Sequence, residues 1–342
     1  MLGVHGLGNW IKLVVAVAVS VFFSALFVRS IDVGEVASAL GDANYVYVVP
    51  ALGVFALSMV ARSLRWRTFL LPADDVRWRG LLPSLLVGYA GNNLLPLRAG
   101  ELLRAQHLAE RQGVARMRTL GTLIMERLFD SALLAVFVLW GLLLAGAGAA
   151  YLGAGLLLAG LSAAGFGVCT AIALRPELPA KIAGLPLPFL TARIRSEIES
   201  LGGSFLSGFS VLTSWRRFGV ASLTSGAAWG LELGMYWLVS RAFDLDASLI
   251  EVAFAGAAAN VAMSLPSAQG GVGPFQFFAS KALIEFGIAD SAAGAYALAL
   301  HVFLVAPISL VGLLVLWRTT AMGGERRTTP QPALGSTTDS RS

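Results

Sequence analysis

The sequence predicts an all-α polytopic membrane protein, with about six transmembrane helices plus two re-entrant helical hairpins in an inverted-topology repeat. The chain of 342 residues is 56% apolar and only 13% charged, whereas soluble domains carry roughly 25% charged residues. Several apolar runs approach the ~20 residues that a spanning helix needs. Two other apolar segments are broken by proline and polar residues, a pattern of discontinuous membrane helices.

Six apolar segments are predicted to span the bilayer, at about 10–28, 45–64, 119–145, 151–174, 218–240 and 291–317. The first has no small-x-small cleavage site behind it, so we interpret it as a span and not as a signal peptide. A polar stretch at 193–209 is predicted to form an interfacial helix. Residues 1–320 form one transmembrane domain in this interpretation, and the polar tail 321–342 is predicted to be disordered and cytoplasmic.

Basic residues indicate which side of the membrane each loop occupies. Most Lys and Arg residues lie in four stretches, at 62–79, 98–118, 175–217 and 318–342. All four share one side if the broken segments 80–97 and 252–286 return to the side they left, and the positive-inside rule makes that side cytoplasmic. Both termini of this multi-pass cell-membrane protein are then cytoplasmic. Irregular backbone at membrane depth needs protein or a water-filled cavity around it, so the hairpins predict a polar cavity.

A shift of 170 positions relates the two halves of the chain. It carries Pro96 onto Pro266 and Gly100 onto Gly270, and it places the span at 45–64 over that at 218–240 and the span at 119–145 over that at 291–317. The recurrence of Leu-Pro-x-x-x-Gly alone has a chance explanation in a chain rich in Leu and Gly. Its agreement with the spans favours an inverted repeat, with halves at about 10–146 and 151–317, as in carriers that work by alternating access.

The first broken segment ends in charged residues at predicted membrane depth. Pro96 interrupts the helix, and Arg98, Glu101 and Arg104 follow at a spacing that places them on roughly one side of the next helix. Arginine presents a planar fork for phosphate or carboxylate, so a headgroup site with Glu101 bridging the arginines is one interpretation. The other is an interfacial helix touching lipid phosphates. Ahead of the break lie Asn92 and Asn93, which satisfy backbone groups or contact a ligand.

Charges also occur inside two predicted spans. Glu126 and Asp130 share a helix face and Arg127 lies one step around; they line the cavity or form an ordinary ion network at the membrane edge. Glu232 lies midway along its span. Because an ionisable group there is costly without a partner, it is either a proton-coupling site or the structural partner of an arginine. Arg62 holds the matching position in the first half.

The second broken segment carries a glycine-rich turn formed by Gln269, Gly270, Gly271 and Gly273. Pro274 suits the first position of a following helix, and amides exposed there would cradle an anion. The alternative is that the glycines only permit a tight turn. Lys281 and Glu285 are four residues apart, and we expect them to pair on that helix.

The sequence lacks the residues that several classes of function require. One cysteine, Cys169, excludes an intramolecular disulfide, and three scattered histidines do not form a metal site. The positive net charge is not accompanied by a nucleic-acid-binding motif. Catalytic and nucleotide-binding motifs are missing, so we expect neither an enzyme nor a cofactor.

The motifs together resemble the transmembrane region of lysylphosphatidylglycerol synthases, which also occurs alone in flippase-like integral membrane proteins. The resemblance is carried by Asn92 to Glu101, Arg104, Glu126-Arg127-x-x-Asp130, Leu265-Pro266 and Gly270-Gly271-x-Gly273. It implies a lipid-translocating domain without the soluble aminoacyl transferase of the two-domain relatives. The family places a Glu shortly after the glycine turn, where this chain has Gln276, so a coupling role for that Glu is in doubt here or has moved to Glu285.

We therefore expect a lipid translocase whose partners are membrane lipids and whose substrate has an anionic headgroup, as in a phospholipid or a polyprenyl-phosphate-linked lipid. Arg98 and Arg104 would hold the phosphate, and Glu101 with the 126–130 set would gate it. Glu232, Gln276, Lys281 and Glu285 are the expected coupling or gating residues. Two alternatives stay open: a secondary carrier of a soluble anion, and a non-transporting accessory of a membrane glycosyltransferase or lipid-modifying enzyme.

Overall fold

The computed structural model describes residues 4–71, 76–95, 99–144, 146, 150–185, 191–265, 267 and 269–327, with side chains from 14 to 319 except Ala150 and Gln269. Within these ranges the chain is helical and contains no strand, which confirms the all-α prediction. The helices are α1 (Val4–Arg29), α2 (Val33–Asp42), α3 (Val48–Leu70), α4 (Trp78–Leu94), α5 (Gly100–Gln112), α6 (Arg116–Leu144), α7 (Ala150–Ala173), α8 (Leu178–Ala183), α9 (Ala192–Ser207), α10 (Trp215–Ala242), α11 (Leu249–Ala262), α12 (Pro274–Glu285) and α13 (Asp290–Arg327).

Four helical segments of the described chain are long and apolar enough to cross a membrane, namely Tyr45–Leu70, Arg116–Leu144, Tyr151–Ala173 and Asp290–Thr319. Helices α1 and α2 form a fifth candidate, bent by 81° at the break between them. Helix α10 has 28 residues but carries Arg216, Arg217, Glu232 and Arg241, and it is outside this set. The chain is therefore a multi-pass membrane protein with four or five spans by length and composition.

Helices α3 and α10 pack against each other along their lengths and run antiparallel. At one end the backbone N–H of Asn44 donates to the carbonyl of Ala242 over 2.8 Å. At the other end Nη1 of Arg217 donates to the carbonyl of Leu71 over 2.7 Å. Because α3 continues to Leu70, the sequence-based end of this span at 64 is too early. Arg62 and Arg65 are buried helix residues, so counting them with the cytoplasmic loop charges was wrong.

Helices α4 and α5 fold back on each other as an antiparallel hairpin. Glycines make the close approach possible: a Cβ atom on Gly91 would lie 2.6 Å from the Cα of Gly100, and one on Gly88 would lie 2.8 Å from the Cβ of Arg104. Further from the turn, Ser84 Oγ and His107 Nδ1 are 2.8 Å apart. Gly113 ends α5 in the left-handed region with φ of 72°, where glycine has no Cβ penalty.

Helices α11 and α12 form a second packed pair. A capping box of Ser248 and Glu251 starts α11, because it satisfies amides that the first helical turn leaves free. The short 3-10 turn Gln269–Gly271 precedes α12 and contacts α4 of the first hairpin. The prolines predicted to break the two segments, Pro96 and Pro266, lie outside the described residues.

The hairpins are held between the long helices. Helix α4 packs on α13 and α11 packs on α6, while α5 contacts α6 and α12 contacts α13. One apolar core is built around Tyr236, Phe254 and Phe275, and a second around Trp66 and Phe129. Helix α9 lies where the sequence predicted a polar helix. Helix α13 continues to Arg327, so residues 321–327 of the predicted tail are helical, and 328–342 lie outside the described residues.

Candidate functional site

Six charged side chains from four helices form one buried network. Helix α3 contributes two arginines, α5 contributes one arginine, α6 contributes two carboxylates and α10 contributes one carboxylate. No side chain among them is more than 14% exposed. The members are Arg62, Arg65, Arg104, Glu126, Asp130 and Glu232.

Glu232 pairs with Arg62 at the crossing of α3 and α10. Nη2 of Arg62 lies 2.5 Å from Oε2 of Glu232. The other carboxylate oxygen accepts from the Tyr236 hydroxyl over 2.7 Å, and Nδ2 of Asn260 donates to that hydroxyl over 3.0 Å. Of the two interpretations of Glu232, the arginine partnership is the one seen in the structure.

Asp130 receives a two-pronged contact from Arg65, with N–O distances of 2.5 Å from Nη1 and 3.3 Å from Nη2. The indole Nε1 of Trp229 also donates to Asp130 over 2.8 Å. Nη1 of Arg62 is 3.7 Å from the same carboxylate, so Asp130 links the two arginines of α3. Planar bidentate pairing of this kind restricts the geometry on both sides.

Arg104 attaches the first hairpin to this network. Its Nη1 lies 2.9 Å from Oε2 of Glu126, and its guanidinium lies over the Trp66 ring, 3.7 Å from the ring centroid. The Tyr89 hydroxyl, on α4, donates to Glu126 over 3.2 Å. Nη2 of Arg65 is 3.7 Å from Glu126. The carboxylate of Glu126 therefore joins α3, α4, α5 and α6.

The network has three positive and three negative side chains, so its formal charge is balanced. Burying such charges gives little net stability, but removing one partner from a buried pair costs about 3–5 kcal/mol. The network thus specifies how the hairpin sits against the spans. A movement that separates Arg104 from Glu126 requires water or another anion to replace the carboxylate.

Among the described residues, no ion pair joins Glu101 to Arg104, one of the two arginines that it was expected to bridge. Glu101 pairs with Arg127 of α6 over 2.7 Å, and the two side chains are 31% and 52% exposed. Three residues on, the buried Arg104 pairs with Glu126, also on α6, so the two helices share one exposed and one buried ion pair. Arg98 lies outside the described residues.

The asparagines before the break have different environments. Nδ2 of Asn93 donates to Oγ of Ser309 on α13 over 3.2 Å, a side-chain contact between helices and not a bond to a backbone group freed at the break. Oδ1 of Asn92 is buried without a hydrogen-bond partner among the described residues. Between the hairpin helices, burial and then Arg111 lower the pKa of His107 below its usual value, and its Nε2 also lacks a partner there.

The glycine turn of the second hairpin is occupied by contacts of the chain itself. The Gly273 amide donates to Oε1 of Gln276 over 2.8 Å, so this one amide of the expected anion cradle already has a partner. Nε2 of Gln276 lies 2.5 Å from Nδ1 of His301, and Nε2 of His301 lies 2.8 Å from the Gly270 carbonyl. Gln276 acts here as a helix cap and a hydrogen-bond partner.

Positive φ angles at Gly270 (71°), Gly271 (76°) and Gly273 (93°) support the tight-turn interpretation, because only glycine adopts this region without strain. The backbone of Gln269 starts the same turn. Lys281 and Glu285 were expected to pair, but no ion pair joins them in the part of the chain that the structure describes. Pairs at this spacing on a helix contribute only about 0.3–0.5 kcal/mol, so α12 does not depend on this one.

Sequence reasoning missed Arg65 and the aromatic residues that surround the network, above all Trp66 and Trp229. A signal was present, since Arg62 and Arg65 lie three residues apart and so share a helix face with Ser58. The early end assigned to the span concealed it. Among the described residues no group of His, Cys, Asp or Glu has the arrangement of a metal site.

Comparison with known proteins places this geometry in context. Residues 10–312 match the model of the family described as lysylphosphatidylglycerol synthase TM region. Glycosyltransferase AglD of Haloferax volcanii is 27% identical over 298 residues, which cover 78% of this chain and 47% of that protein. A UPF0104 membrane protein of Methanothermobacter thermautotrophicus is 26% identical over 274 residues, 76% of this chain and 81% of that protein. The chain thus spans about half the length of the glycosyltransferase, and no solved structure matches.

Proposed function

Because this chain belongs to the lysylphosphatidylglycerol synthase TM region family, we propose that it is a lipid translocase. The substrate is an amphiphile with a phosphate in its headgroup, such as a phospholipid or a polyprenyl-phosphate-linked lipid. The observation that carries the proposal is the buried, charge-balanced network that ties the hairpin α4–α5 to α3, α6 and α10. Charged side chains at membrane depth are costly and are associated with substrate and ion pathways.

An inverted repeat is supported by the position of the Arg62–Glu232 pair. The two residues are 170 positions apart, which is also the separation of Pro96 and Pro266. Equivalent residues meet only on the axis that relates their halves. Since α3 and α10 run antiparallel, that axis is perpendicular to the helices and lies in the membrane plane, as in inverted-topology carriers.

The packing of the other helices supports the same symmetry. A shift of 170 carries α4 to the region of α11, α5 to that of α12 and α6 to that of α13. The contact of α4 with α13 then corresponds to that of α11 with α6, and the contact of α5 with α6 corresponds to that of α12 with α13. In this proposal both hairpins are re-entrant and meet near the middle of the bilayer.

Translocation follows from how a headgroup would cross this centre. The acyl chains remain in the lipid, while the headgroup needs polar partners in place of water. Such partners are provided by the buried network, which extends from α5 to α10. They are the carboxylates of Glu126 and Asp130 and the arginines paired with them. Opening of the Arg104–Glu126 contact is the gating step, and Glu101–Arg127 is an outer contact between the same helices.

Reconstitution tests the proposal. Proteoliposomes carrying fluorescent phosphatidylglycerol, phosphatidylethanolamine or a polyprenyl phosphate should show protein-dependent exchange between leaflets, measured by chemical quenching of the outer leaflet. The variant Glu126→Gln should speed exchange, because it weakens the contact whose opening is the gating step, whereas Glu197→Gln in the exposed Arg193–Glu197 pair should leave the rate unchanged. Absence of exchange for all three lipids would refute the translocase, and uptake of a soluble organic anion would instead favour an anion carrier.

A second candidate function is supported by the relative named a glycosyltransferase. The chain would then be a membrane module that assists a glycosyltransferase or lipid-modifying enzyme without moving lipid. Affinity purification from native membranes separates the two. Recovery of such an enzyme with a chain that shows no exchange in liposomes would favour the accessory role.

A further inference from the structure

One arginine of the buried network leaves more than half of its N–H donors without a partner among the described residues. Arg104 is 4% exposed, yet its Nε and Nη2 lack a partner among the described residues. A buried donor without a partner forfeits the hydrogen bonds that water would have provided. Other interactions of the network must offset this cost in the structure described. A ligand that reached these donors would recover the missing hydrogen bonds.

The unused donors form a complete binding edge. Nε and Nη2 lie on the same side of the planar guanidinium, so their N–H bonds point in parallel, which is the geometry that holds two oxygens of a phosphate or carboxylate. The remaining group, Nη1, is already paired with Glu126. An oxyanion can therefore bind the free edge while the contact that positions the arginine is kept.

The other two arginines of the network do not offer this edge. Arg65 directs Nη1 and Nη2 at Asp130, and Arg62 directs Nη2 at Glu232. In each of them only Nε lacks a partner in the described chain. The free edge is a property of Arg104, the network arginine carried by the hairpin.

The surroundings hold the Arg104 guanidinium in place without using its free edge. The ring of Trp66 lies against the guanidinium face at 3.7 Å, a favourable cation–π contact. The stem lies against Gly88, where a side chain would crowd it, since a Cβ there would be 3.0 Å from Cδ of Arg104. A guanidinium fixed on its face and stem loses little freedom when a ligand binds.

We propose that the Nε–Nη2 edge of Arg104 is the receptor for a phosphate oxyanion, which binds when the hairpin α4–α5 moves enough to admit it. This deepens the proposed function and rests on it for the identity of the ligand, a lipid headgroup phosphate. A free phosphate ion has the same oxyanion chemistry, so the experiment has to separate the two sources. The binding step forms two N–H···O bonds and breaks no covalent bond.

Binding is measured on the detergent-purified full chain, by calorimetry and by the shift of the thermal unfolding midpoint. The probes are dihexanoylphosphatidylglycerol, inorganic phosphate and dihexanoylglycerol, which lacks the phosphate. We expect saturable binding of the phospholipid and none of the neutral lipid. Arg104→Lys keeps the positive charge but cannot present two parallel N–H groups, so it should bind the phospholipid about tenfold or more weakly.

Two further variants keep the test independent of folding. The double variant Arg104→Gln/Glu126→Gln removes the edge without leaving a buried charge unpaired, and it should show the same loss while eluting as a monodisperse species. Arg193→Lys makes the same substitution in an exposed pair and should bind like the wild type. Equal affinity of wild type and Arg104→Lys, or equal binding of the neutral lipid, would overturn the proposal.

The remaining outcomes distinguish this inference from the proposed function. Arg104-dependent binding of inorganic phosphate as tight as that of the phospholipid would support the oxyanion site but assign it to a soluble ligand, against a lipid translocase. Arg104-dependent phospholipid binding without exchange in proteoliposomes would support the site and refute translocation. Exchange that persists with unchanged phospholipid binding in Arg104→Lys would support translocation and refute the site.

Discussion

The hairpins α4–α5 and α11–α12 each consist of two packed helices. Different kinds of side-chain contact attach them to the long helices. Helix α5 of the first is held to α6 by two ion pairs, Arg104–Glu126 and Glu101–Arg127. Helix α12 of the second is held to α13 by neutral contacts. There Gln276 bonds to His301, and the ring of Phe275 stacks on His301 with a centroid distance of 4.8 Å.

The hairpins also differ in how completely their polar atoms are satisfied. Buried atoms without a partner occur in Asn92, Arg104 and His107 of the first hairpin, and none occurs in the described residues of α11 and α12. Where every buried polar atom has a hydrogen-bond partner, opening the contact gains no new hydrogen bond. Where an ion pair leaves some buried donors without partners, a ligand can supply the missing hydrogen bonds. Under the proposed function, we therefore expect the first hairpin to respond to a ligand and the second to provide the fixed surface against which it moves.

The largest effect is expected from breaking the ionic attachment. Glu126→Ala leaves Arg104 buried without its carboxylate and should lower the free energy of unfolding by about 3–5 kcal/mol. Glu197→Ala in the exposed pair on α9 should cost less than about 1 kcal/mol. Chemical or thermal unfolding in detergent measures both. Equal losses in the two variants would mean that the buried pair does not secure the hairpin.

A smaller effect should separate the equivalent glycines of the two turns. A Cβ on Gly100 would overlap the Gly88 carbonyl oxygen and the Asn92 amide, whereas one on Gly270 would meet no atom closer than 3.8 Å. We therefore expect Gly100→Asn to cost about 1–3 kcal/mol through overpacking. Asparagine tolerates the left-handed region, so Gly270→Asn should stay within about 1 kcal/mol of the wild type.

Unfolding midpoints of the two asparagine variants, measured side by side, decide this prediction. A hairpin α4–α5 that tolerated Gly100→Asn as well as Gly270→Asn would not be closely packed at its turn. That result would remove the distinction between a tightly packed ionic hairpin and an open neutral turn.

The smallest effect should come from placing a charge in the neutral attachment. In Gln276→Glu the carboxylate can only accept hydrogen bonds, so Nδ1 of His301 must carry a proton to meet it. Nε2 already faces the Gly270 carbonyl, so the ring must then be doubly protonated. A neutral ring instead faces the carboxylate with a second acceptor, so we expect a loss of about 0.5–1.5 kcal/mol, the contribution of the lost hydrogen bond.

Unfolding of Gln276→Glu in detergent provides the measurement. The double variant Gln276→Glu/His301→Gln is the control, because Nε2 of a glutamine can donate to the carboxylate and should recover the loss. A loss in Gln276→Glu that the second substitution did not reduce would show that the contact with His301 does not hold the second hairpin.

Much of the fold was readable from local pattern. Apolar length predicted α3, α6, α7 and α13, and the glycines and interruptions predicted both broken segments. The match of Arg62 to Glu232 in the repeat also pointed to their pairing. Span ends were less accurate, because Arg62 and Arg65 look like loop charges when their partners are 170 and 65 residues away.

Side-chain roles within the site depended on contacts that no local pattern contains. Glu101 and Arg104 lie on one helix but form separate ion pairs with α6. Glu101 pairs with the exposed Arg127, and Arg104 pairs with the buried Glu126. The glycine turn suited an anion by its composition, and only the packing showed that Gln276 already uses the Gly273 amide.

The membrane class, the long helices, the family and the charges next to the first broken segment follow from the sequence alone. These depend on apolar length, helix-breaking residues and spacing, which are properties of neighbouring residues in the chain. Which charges neutralise each other, and which donors are left over, depends on the packing of the helices. Pairing depends on distances of a few ångströms between helices far apart in sequence, and that is why the unused edge of Arg104 becomes visible only in the folded protein.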